Sequence, residues 1–330
     1  MSKLSTRAEI IKLARLLKLE EAQLAFMQRY SVVQIRELRE RMSATLFDGS
    51  KATLSRVATA SKLIPVPLVA IIGEKVYGPL LCARVTGLLP PTRAVEIGER
   101  LSVPFLADLS MELDPRSARE VISLMPTARV VAIARELLKR GEFITMARFV
   151  DYLRDQTIKE VMAAIGDDRA LLEIAFFIES HARLETIMEL VPLERLRNII
   201  RVAAGDGTGL WPEALAMMLN VGDTMRRKMG DLTAELDDAA LNSIMATIQR
   251  ESLWTAWVTV VSAMTPAAQK KLLGMAAMNT PAVLAGFAGA ARDQGLRKLM
   301  TPLLAFMGEA PRKQLEDLIG RVKSTVKNLG

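Results

Sequence analysis

The sequence predicts an all-α protein: a solenoid, or superhelix, of short helical hairpins, followed by a C-terminal region of longer helices. The first observation behind this prediction is a repeat. Pro79 and Pro104 lie 25 residues apart, as do Pro90 and Pro115. The second is composition, since half of the 330 residues are hydrophobic, only 5% are aromatic and 18 are Met. Straight-chain apolar residues favour helices, whereas strands need β-branched and aromatic runs.

Apolar residues continue the repeat through the middle of the chain. Steps of 25 residues lead from Phe149 to Ile174 and then to Ile199, and a step of 26 leads from Ile158 to Leu184. A pattern at this spacing is typical of stacked supersecondary units that pack on their neighbours. Such packing is needed because isolated helices of two or three turns are marginal in water.

The chain divides into three predicted regions. Residues 1–63 form a helical N-terminal cap, and residues 64–204 form a short-helix repeat array with a period of about 25. Residues 205–330 form a C-terminal region of longer helices. The boundary is placed at the glycine-dense loop Gly205–Gly209, where the rhythm of the repeat changes.

Capping patterns predict where the N-terminal helices begin. Thr6 with Glu9, and Ser31 with Gln34, both fit the capping box, in which two side chains satisfy two backbone N–H groups at a helix start. The second box precedes apolar residues at helical spacing, which predict one buried face: Ile35, Leu38, Met42 and Leu46.

Proline and glycine punctuate the repeat array. Helix starts are predicted near residues 66, 79, 90, 104, 115, 126, 142, 155, 167, 181 and 192. Six of these coincide with a proline, which removes no intrahelical hydrogen bond at the first position of a helix. Gly141 and Gly166 are predicted to end helices as left-handed C-caps.

Six helices are predicted after the glycine-dense loop. They cover roughly residues 212–221, 237–250, 252–264, 266–278, 281–292 and 309–328. Three Thr-Pro dipeptides have the form of an N-cap followed by a first-position proline. These dipeptides are Thr265-Pro266, Thr280-Pro281 and Thr301-Pro302.

The positive charge of the chain is concentrated at its ends. The net charge is +7 and the isoelectric point is near 9.6. Residues 1–62 hold 12 Lys and Arg against 6 Asp and Glu, and residues 309–330 hold 5 against 3. Pairs at i,i+4, such as Glu37 with Arg41, compensate part of this charge. A solvated charged face is therefore favoured over a nucleic-acid surface, which stays open as the alternative.

Targeting signals and disulfides are not expected. The first twenty residues are interrupted by charges and lack the apolar core of a signal peptide. The apolar stretch Leu63–Leu89 contains Glu74, Lys75 and Arg84, which argues against a membrane span. Cys82 is the sole cysteine, which fits a reducing compartment. We therefore predict a cytoplasmic protein.

The sequence predicts no catalytic, cofactor-binding or metal-binding residue. His181 is the sole histidine, so zinc sites and Cys–His pairs lack material, and a helix start explains it better than proton transfer does. Gly205–Gly209 could cradle a phosphate, but it lacks the P-loop ending, so a hinge is favoured. Three carboxylate pairs are read as helix caps rather than acid–base groups: Glu20-Glu21, Asp167-Asp168 and Asp237-Asp238.

Trp254 and Trp257 lie on one predicted helix face with Val258, Val261 and Met264. Such a stripe could bind a partner, but core packing between long helices is the favoured interpretation.

Residues 88–126, LLPPTRAVEIGERLSVPFLADLSMELDPRSAREVISLMP, resemble two bacterial helical-repeat families. These are the cytoplasmic N-terminal domain of MgtE-type magnesium channels and the FliG-type flagellar motor-switch proteins. The resemblance covers residues 64–204. The sequence has neither the channel's transmembrane bundle nor the Glu-His-Pro-Gln motif of the motor-switch family, since Glu179–Ala182 reads Glu-Ser-His-Ala. The resemblance implies a right-handed superhelical scaffold for protein contacts and assigns no functional residue.

These observations favour a non-enzymatic protein-interaction scaffold or regulatory adaptor with one or more protein partners, because repeat arrays present extended surfaces. The alternative is a nucleic-acid or anionic-membrane-surface binder that uses the basic N-terminal region and loses affinity steeply with salt. A third hypothesis is an enzyme or ligand-binding protein with an apolar pocket between the C-terminal helices.

Overall fold

The computed structural model describes residues 3–48, 51–205 and 209–327, and this part of the chain contains helices and turns but no strand. The all-α prediction is therefore confirmed. The chain forms two compact units, one ending at Arg183 and the other beginning at Leu184. This boundary differs from those of the three regions predicted from the sequence, and the three-region division stays a prediction.

The first unit is built from short helices joined by tight turns. They are α1 (Lys3–Leu17), α2 (Val32–Asp48), α3 (Lys51–Ser61), α4 (Val66–Ile72), α5 (Gly78–Thr86), α6 (Pro91–Gly98), α7 (Val103–Glu112), α8 (Arg119–Leu124), α9 (Thr127–Lys139), α10 (Phe143–Phe149), α11 (Asp155–Ala164) and α12 (Asp168–Phe176). Two 3-10 helices, Glu21–Arg29 and Val150–Tyr152, and one π-helical segment, Gly73–Tyr77, lie between them.

The second unit has its own series of helices, and α13 spans the boundary in sequence. They are α13 (His181–Leu190), α14 (Leu193–Ala204), α15 (Trp211–Leu219), α16 (Asp223–Ala234), α17 (Asp238–Glu251), α18 (Trp254–Ala263), α19 (Pro266–Leu273), α20 (Pro281–Ala290), α21 (Gln294–Leu303) and α22 (Glu309–Lys327). The sequence did not predict α16 and α21, and the predicted helix 266–278 ends earlier, at Leu273.

Helix starts in the predicted repeat array are largely confirmed. Ten of the eleven lie within one residue of the predicted position. The exception is the start predicted at Pro115, since α8 begins at Arg119. Residues before it form a turn in which the Asp114 side chain accepts a hydrogen bond from the Arg116 N–H and the Ala118 N–H donates to the Pro115 carbonyl.

Helices pack on the helix two places further along the chain. In the first unit the packed pairs are α3 with α5, α4 with α6, α5 with α7, α6 with α8, α7 with α9, α9 with α11 and α10 with α12. α4 and α6 begin 25 residues apart, at Val66 and Pro91, and α10 and α12 do the same, at Phe143 and Asp168. Within the second unit the same relation joins α14 with α16, α16 with α18, α18 with α20 and α20 with α22.

Helix ends confirm one predicted C-cap and correct another. Gly141 has φ +70°, which confirms it as a left-handed C-cap. Gly166 was predicted to do the same, but its φ is not positive. The chain instead leaves α11 through Ile165 in an extended conformation, and Asp167 immediately caps α12, so no left-handed residue is needed.

Two predicted N-terminal features are also corrected. Thr6 is not an N-cap, because α1 already begins at Lys3 and the side chain of Glu9 is engaged in buried ion pairs instead. The box of Ser31 and Gln34 is confirmed by reciprocal hydrogen bonds of 3.0 and 3.3 Å. Of the predicted buried face of α2, Ile35 is buried but Leu38 is exposed. The Leu46 side chain lies outside the described residues.

Two of the three Thr-Pro helix starts are confirmed. Pro266 and Pro281 occupy the first positions of α19 and α20. Pro302 does not begin a helix, because it lies near the end of α21, where Thr301 donates its hydroxyl hydrogen to the Arg297 carbonyl. A proline so close to the C-terminal end removes one backbone donor without breaking the preceding turns.

The core of the second unit contains the predicted tryptophan pair. Trp254 and Trp257 are buried on α18, with ring centroids 5.8 Å apart, and both rings contact Phe287 of α20. The prediction of core packing rather than a partner-binding stripe is therefore confirmed for these two residues. α20 can approach so closely because Gly286 faces the Trp254 indole without a side chain.

Replacement of the N-cap Asp237 by Ala should destabilise α17. The Asp237 carboxylate accepts a hydrogen bond of 2.8 Å from the Ala240 N–H. Losing such a cap costs about 1 kcal/mol. Chemical denaturation should show this loss for Asp237→Ala and a smaller one for Asp237→Asn, which keeps an acceptor. Equal losses in both variants would show that the negative charge, not the cap, is what matters.

Candidate functional site

The chemistry-bearing residues singled out in the sequence have structural roles. Asp167 and Asp237 cap α12 and α17, and Glu20 forms a capping box with Gln23, as predicted. His181 is exposed at the first position of α13. Among the described residues, no group of three or more His, Cys, Asp or Glu side chains is placed to hold a metal ion.

Neither of the two interpretations of the glycine-dense loop, a hinge or a phosphate cradle, is tested by the structure. Residues 206–208 lie outside the described residues, so the hinge and the phosphate cradle remain predictions. Gly209, just after them, has φ +67°, a conformation that favours glycine.

A dense set of large apolar side chains is exposed in the first unit. Leu63 is 88% exposed, Val76 71% and Ile71 59%. A single exposed apolar side chain is ordinary, whereas six within eighteen residues are unusual for a surface without a partner. We call the following set the apolar stripe: Leu63, Leu68, Ile71, Val76, Tyr77 and Leu80.

The inner faces of α4 and α5, the helices that carry Leu68, Ile71 and Leu80, belong to the core. Ala70 of α4 and Ala83 of α5 are buried in a cluster with residues of α6, α7 and α8, and Val66 and Val69 pack against it. α4 is therefore apolar on both sides. A helix that is apolar all round is normally buried, so the exposed side of α4 is a surface suited to a partner.

Hydrogen bonds from Arg93 and Ser102 hold the segment that carries the apolar stripe in place. The Arg93 guanidinium donates to the Ser61 and Ile64 carbonyls at 2.5 and 2.6 Å and fixes the turn that contains Leu63. The Glu74 carboxylate accepts hydrogen bonds from the Ser102 hydroxyl at 2.6 Å and from its backbone N–H at 3.1 Å. The bond from the Ser102 hydroxyl is the main reason that the pKa of Glu74 lies below its ordinary value.

The backbone of the stripe is irregular. Residues Gly73–Tyr77 form a π-helical turn, a feature that is frequent at functional sites. Gly78 follows with φ 74° and ψ 171°, a conformation that side-chain-bearing residues avoid. The π-helical turn contains Val76 and Tyr77, two exposed members of the stripe, and Gly78 directly follows them.

Among the described residues, Val66–Thr86 is long and apolar enough to cross a membrane, judged by length and composition alone. The backbone of Gly78 interrupts this run, because its φ and ψ are not helical. The pieces on either side are each shorter than the roughly 20 residues that a spanning helix needs. The structure therefore has two short helices here, packed against the core on one side.

Much of the predicted basic surface near the N-terminus is used in internal ion pairs. The Glu9 side chain is only 2% exposed and contacts three cations within 3.2 Å. They are the Lys12 ammonium and the guanidinium groups of Arg36 and Arg39. α1 and α2 are thereby joined through one buried carboxylate.

Glu179, which follows α12, extends this network. Its carboxylate lies 3.0 Å from the Lys12 ammonium and 2.8 Å from the Arg39 guanidinium. Burial raises the pKa of Glu179, but the two cations outweigh it, so the pKa lies below its ordinary value. Its contribution to stability is thus present above the ordinary pKa of a carboxyl group and is lost as the pH falls through the lowered one.

Arg15 forms a further ion pair inside the first unit. Its guanidinium binds the Glu142 carboxylate and donates to the Thr145 hydroxyl at 3.1 Å. Four cations of the basic region, Lys12, Arg15, Arg36 and Arg39, are therefore engaged by carboxylates. They are correspondingly less accessible to a polyanion than the sequence suggested.

A small cavity lies between the helices of the second unit. Its volume is about 10 Å³, and residues such as Trp211, Leu241 and Met264 line it. This volume suits a single water molecule. The cavity gives no support to the hypothesis of a lipid or cofactor pocket between the C-terminal helices.

Cys82 should react slowly with alkylating reagents. Its thiol lies 3.5 Å from the Gly73 carbonyl, and burial raises its pKa to about 11. At pH 8 its thiolate fraction is on the order of 10² lower than that of an ordinary cysteine with a pKa near 8.5. Iodoacetamide labelling followed by mass spectrometry should show a rate that rises about tenfold per pH unit up to pH 10. Rapid labelling at pH 8 would mean that α5 opens away from the core.

Sequence reasoning did not identify the apolar stripe. From the sequence, the stretch Leu63–Leu89 is notable only as an apolar run whose charges argue against a membrane span. The signal that could have found the stripe is the absence of a polar face over Val66–Ile72, in which no residue is charged or hydrogen-bonding.

Comparison of the chain with protein-family models, with curated proteins and with solved structures found no match. The resemblance to the MgtE-type and FliG-type repeats therefore stays an expectation.

Proposed function

We propose that this protein is a non-enzymatic protein-interaction scaffold or regulatory adaptor of the bacterial cytoplasm, and that the apolar stripe is its docking surface. The observation that carries the proposal is the exposure of six large apolar side chains on α4, on α5 and on the turns next to them, while the inner faces of α4 and α5 belong to the core. Burying such side chains against a partner contributes roughly 25 cal/mol per Å² of apolar surface.

A helical repeat is the architecture that we propose for the scaffold. Packing of α4 on α6, α5 on α7 and α10 on α12 supports it, because stacked hairpins bring alternate helices together. The spacing of 25 residues between the starts of α4 and α6 supports it as well. A superhelix of the kind implied by the resemblance would present the stripe on an extended surface.

The alternative, a nucleic-acid or anionic-membrane binder that uses the basic N-terminal region, has less support. Lys12, Arg15, Arg36 and Arg39 are committed to carboxylates, and releasing them would leave Glu9 buried without compensation. The protein-interaction function therefore takes precedence.

Site-specific photo-crosslinking tests the proposal. The photoreactive residue p-benzoylphenylalanine is placed at Ile71 or Val76 of the full chain in its native cells. As a control it is placed at Glu120, an exposed position on α8 of the same unit. We expect both stripe positions to form covalent adducts with one protein on irradiation and Glu120 to form none. Adducts that are identical at all three positions, or no protein adduct at either stripe position, would overturn the proposal.

A further inference from the structure

The exposed side chains of the apolar stripe lie on a short helix and the turns next to it, and a complementary groove on another protein could bury them. Leu68 and Ile71 lie one turn apart on the exposed side of α4, and the buried side holds Ala70. An apolar helix face with side chains one turn apart is recognised by a hydrophobic groove on another protein.

The segment of the sequence that carries the stripe is basic. Residues 51–89 contain five Lys and Arg but only one acidic residue, Glu74. Glu74 is bound by both the hydroxyl and the N–H of Ser102. Lys62 and Lys75 are exposed beside members of the stripe. Two exposed lysines therefore adjoin exposed apolar members of the stripe, Lys62 next to Leu63 and Lys75 next to Val76.

We infer that the occupant of the stripe is an apolar groove with an acidic rim on a partner protein. The inference rests on the proposed function and names the chemistry of the partner. Groove contacts to Leu68, Ile71 and Val76 supply affinity, and rim carboxylates facing Lys62 and Lys75 supply orientation and a faster encounter.

Two other occupants fit less well. A second copy of this chain would place the same surface against itself in a two-fold contact and bring Lys62 and Lys75 close to like charges. An anionic membrane is bound by a helix with one apolar and one charged face. α4 has no charged face, because its inner side is packed on the core and Gly78 ends the helical run.

The test combines crosslinking at Ile71 with reversal of the flanking charges. A Lys62→Glu/Lys75→Glu variant is compared with a Lys139→Glu/Lys159→Glu variant, in which two exposed lysines of the same unit are reversed. We expect the yield of the protein adduct to fall at least tenfold in the first and to change less than twofold in the second. Unchanged circular dichroism and melting temperature confirm that both variants fold.

A carbodiimide provides an independent measurement on the unmodified chain. This reagent joins an amine to a carboxylate as an amide, and the carbodiimide itself takes up the water that is lost. We expect it to link Lys62 or Lys75 to an Asp or Glu of the same protein that Ile71 captures.

The outcomes separate the inference from the proposed function. A protein adduct whose yield does not respond to the reversal at Lys62 and Lys75 overturns the acidic rim and leaves the scaffold function intact. An adduct with a second copy of the chain also overturns the inference. Absence of any protein adduct at Ile71, together with flotation on vesicles of phosphatidylcholine and phosphatidylglycerol at 7:3, overturns both and identifies an anionic membrane as the occupant.

Discussion

Glu9→Ala should destabilise the first unit by about 3–5 kcal/mol, the cost of breaking a buried ion pair from one side. The Glu9 side chain is 2% exposed and that of its partner Lys12 5%. Removing the carboxylate leaves Lys12 and Arg39 with Glu179 alone and deprives Arg36 of its nearest anion. The free energy of unfolding can be measured by urea denaturation, and hydrogen exchange can locate the loss in α1 and α2.

A matched surface pair provides the control for this prediction. Arg7 and Glu21 form an ion pair of 3.3 Å in the same part of the chain, but both side chains are almost half exposed. Exposed pairs contribute at most about 1 kcal/mol, so Glu21→Ala should have little effect. Similar losses in the two variants would contradict the idea that Glu9 is a buried junction of the network.

Replacing Glu9 by Gln separates packing from charge. The amide keeps the volume of the side chain and an acceptor oxygen, but the three surrounding cations lose the negative charge. A loss close to that of Glu9→Ala would assign the effect to electrostatics, whereas recovery to the native value would assign it to cavity formation.

The sequence predicts the helix starts because they depend on local chemistry. Proline at Pro91 or Pro104 and a side-chain acceptor at Ser102 or Asp167 act within a few residues of their own position. Such signals need no knowledge of the rest of the chain. They account for the agreement within one residue at all but one predicted start in the repeat array.

The ion-pair network could not be predicted in this way. Glu9 fitted a local capping box with Thr6, whereas its partners Arg36 and Arg39 are 27 and 30 residues away. Glu179 lies 167 residues from Lys12. Nothing in the neighbourhood of Glu9 in the sequence distinguishes a carboxylate that caps a helix from one that is enclosed by three cations.

Each of the two helices that the sequence did not predict, α16 and α21, contains a residue that disfavours a helix. α16 contains Gly230, which weakens the local preference for a helix. Glycine allows close packing here, because a Cβ would lie 2.7 Å from the Met264 side chain. α21 contains Pro302, for which the Thr301-Pro302 pattern predicts a helix start. In α16 close packing against Met264 outweighs the local signal, whereas in α21 the proline is tolerated because it lies near the C-terminal end of the helix.

The apolar stripe illustrates the remaining limit of sequence reasoning. Leu68 and Ala70 are both apolar members of one helix, yet Leu68 is exposed and Ala70 is buried. Which side of an entirely apolar helix is covered depends on where α6 and α5 pack, and those contacts are absent from the local pattern. The sequence therefore provided the apolar segment, and the packing determined which of its side chains form a surface.

Gly286→Ala should destabilise the second unit although alanine is the better helix former. In an exposed helix the change would contribute up to about 1 kcal/mol of stability. At this position the new Cβ would lie 2.1 Å from the Trp254 Nε1 atom, far inside van der Waals contact. Trp254 is enclosed by Trp257 and Phe287, so relief requires displacement of several rings. Overpacking of this kind costs about 1–3 kcal/mol or more, and we expect a net loss of about 2 kcal/mol.

Gly289, on the same helix, provides a control substitution for Gly286→Ala. A Cβ at Gly289 meets no atom within 4 Å, so Gly289→Ala should be neutral or stabilising in the same urea denaturation. If the clash with Trp254 is the cause, Trp254→Phe should lessen the effect of Gly286→Ala, because the smaller ring leaves room for the methyl group. A double-mutant cycle would then give a coupling energy of about 1 kcal/mol or more. Additive losses would instead place the cost of Gly286→Ala in the backbone of α20, independent of the indole.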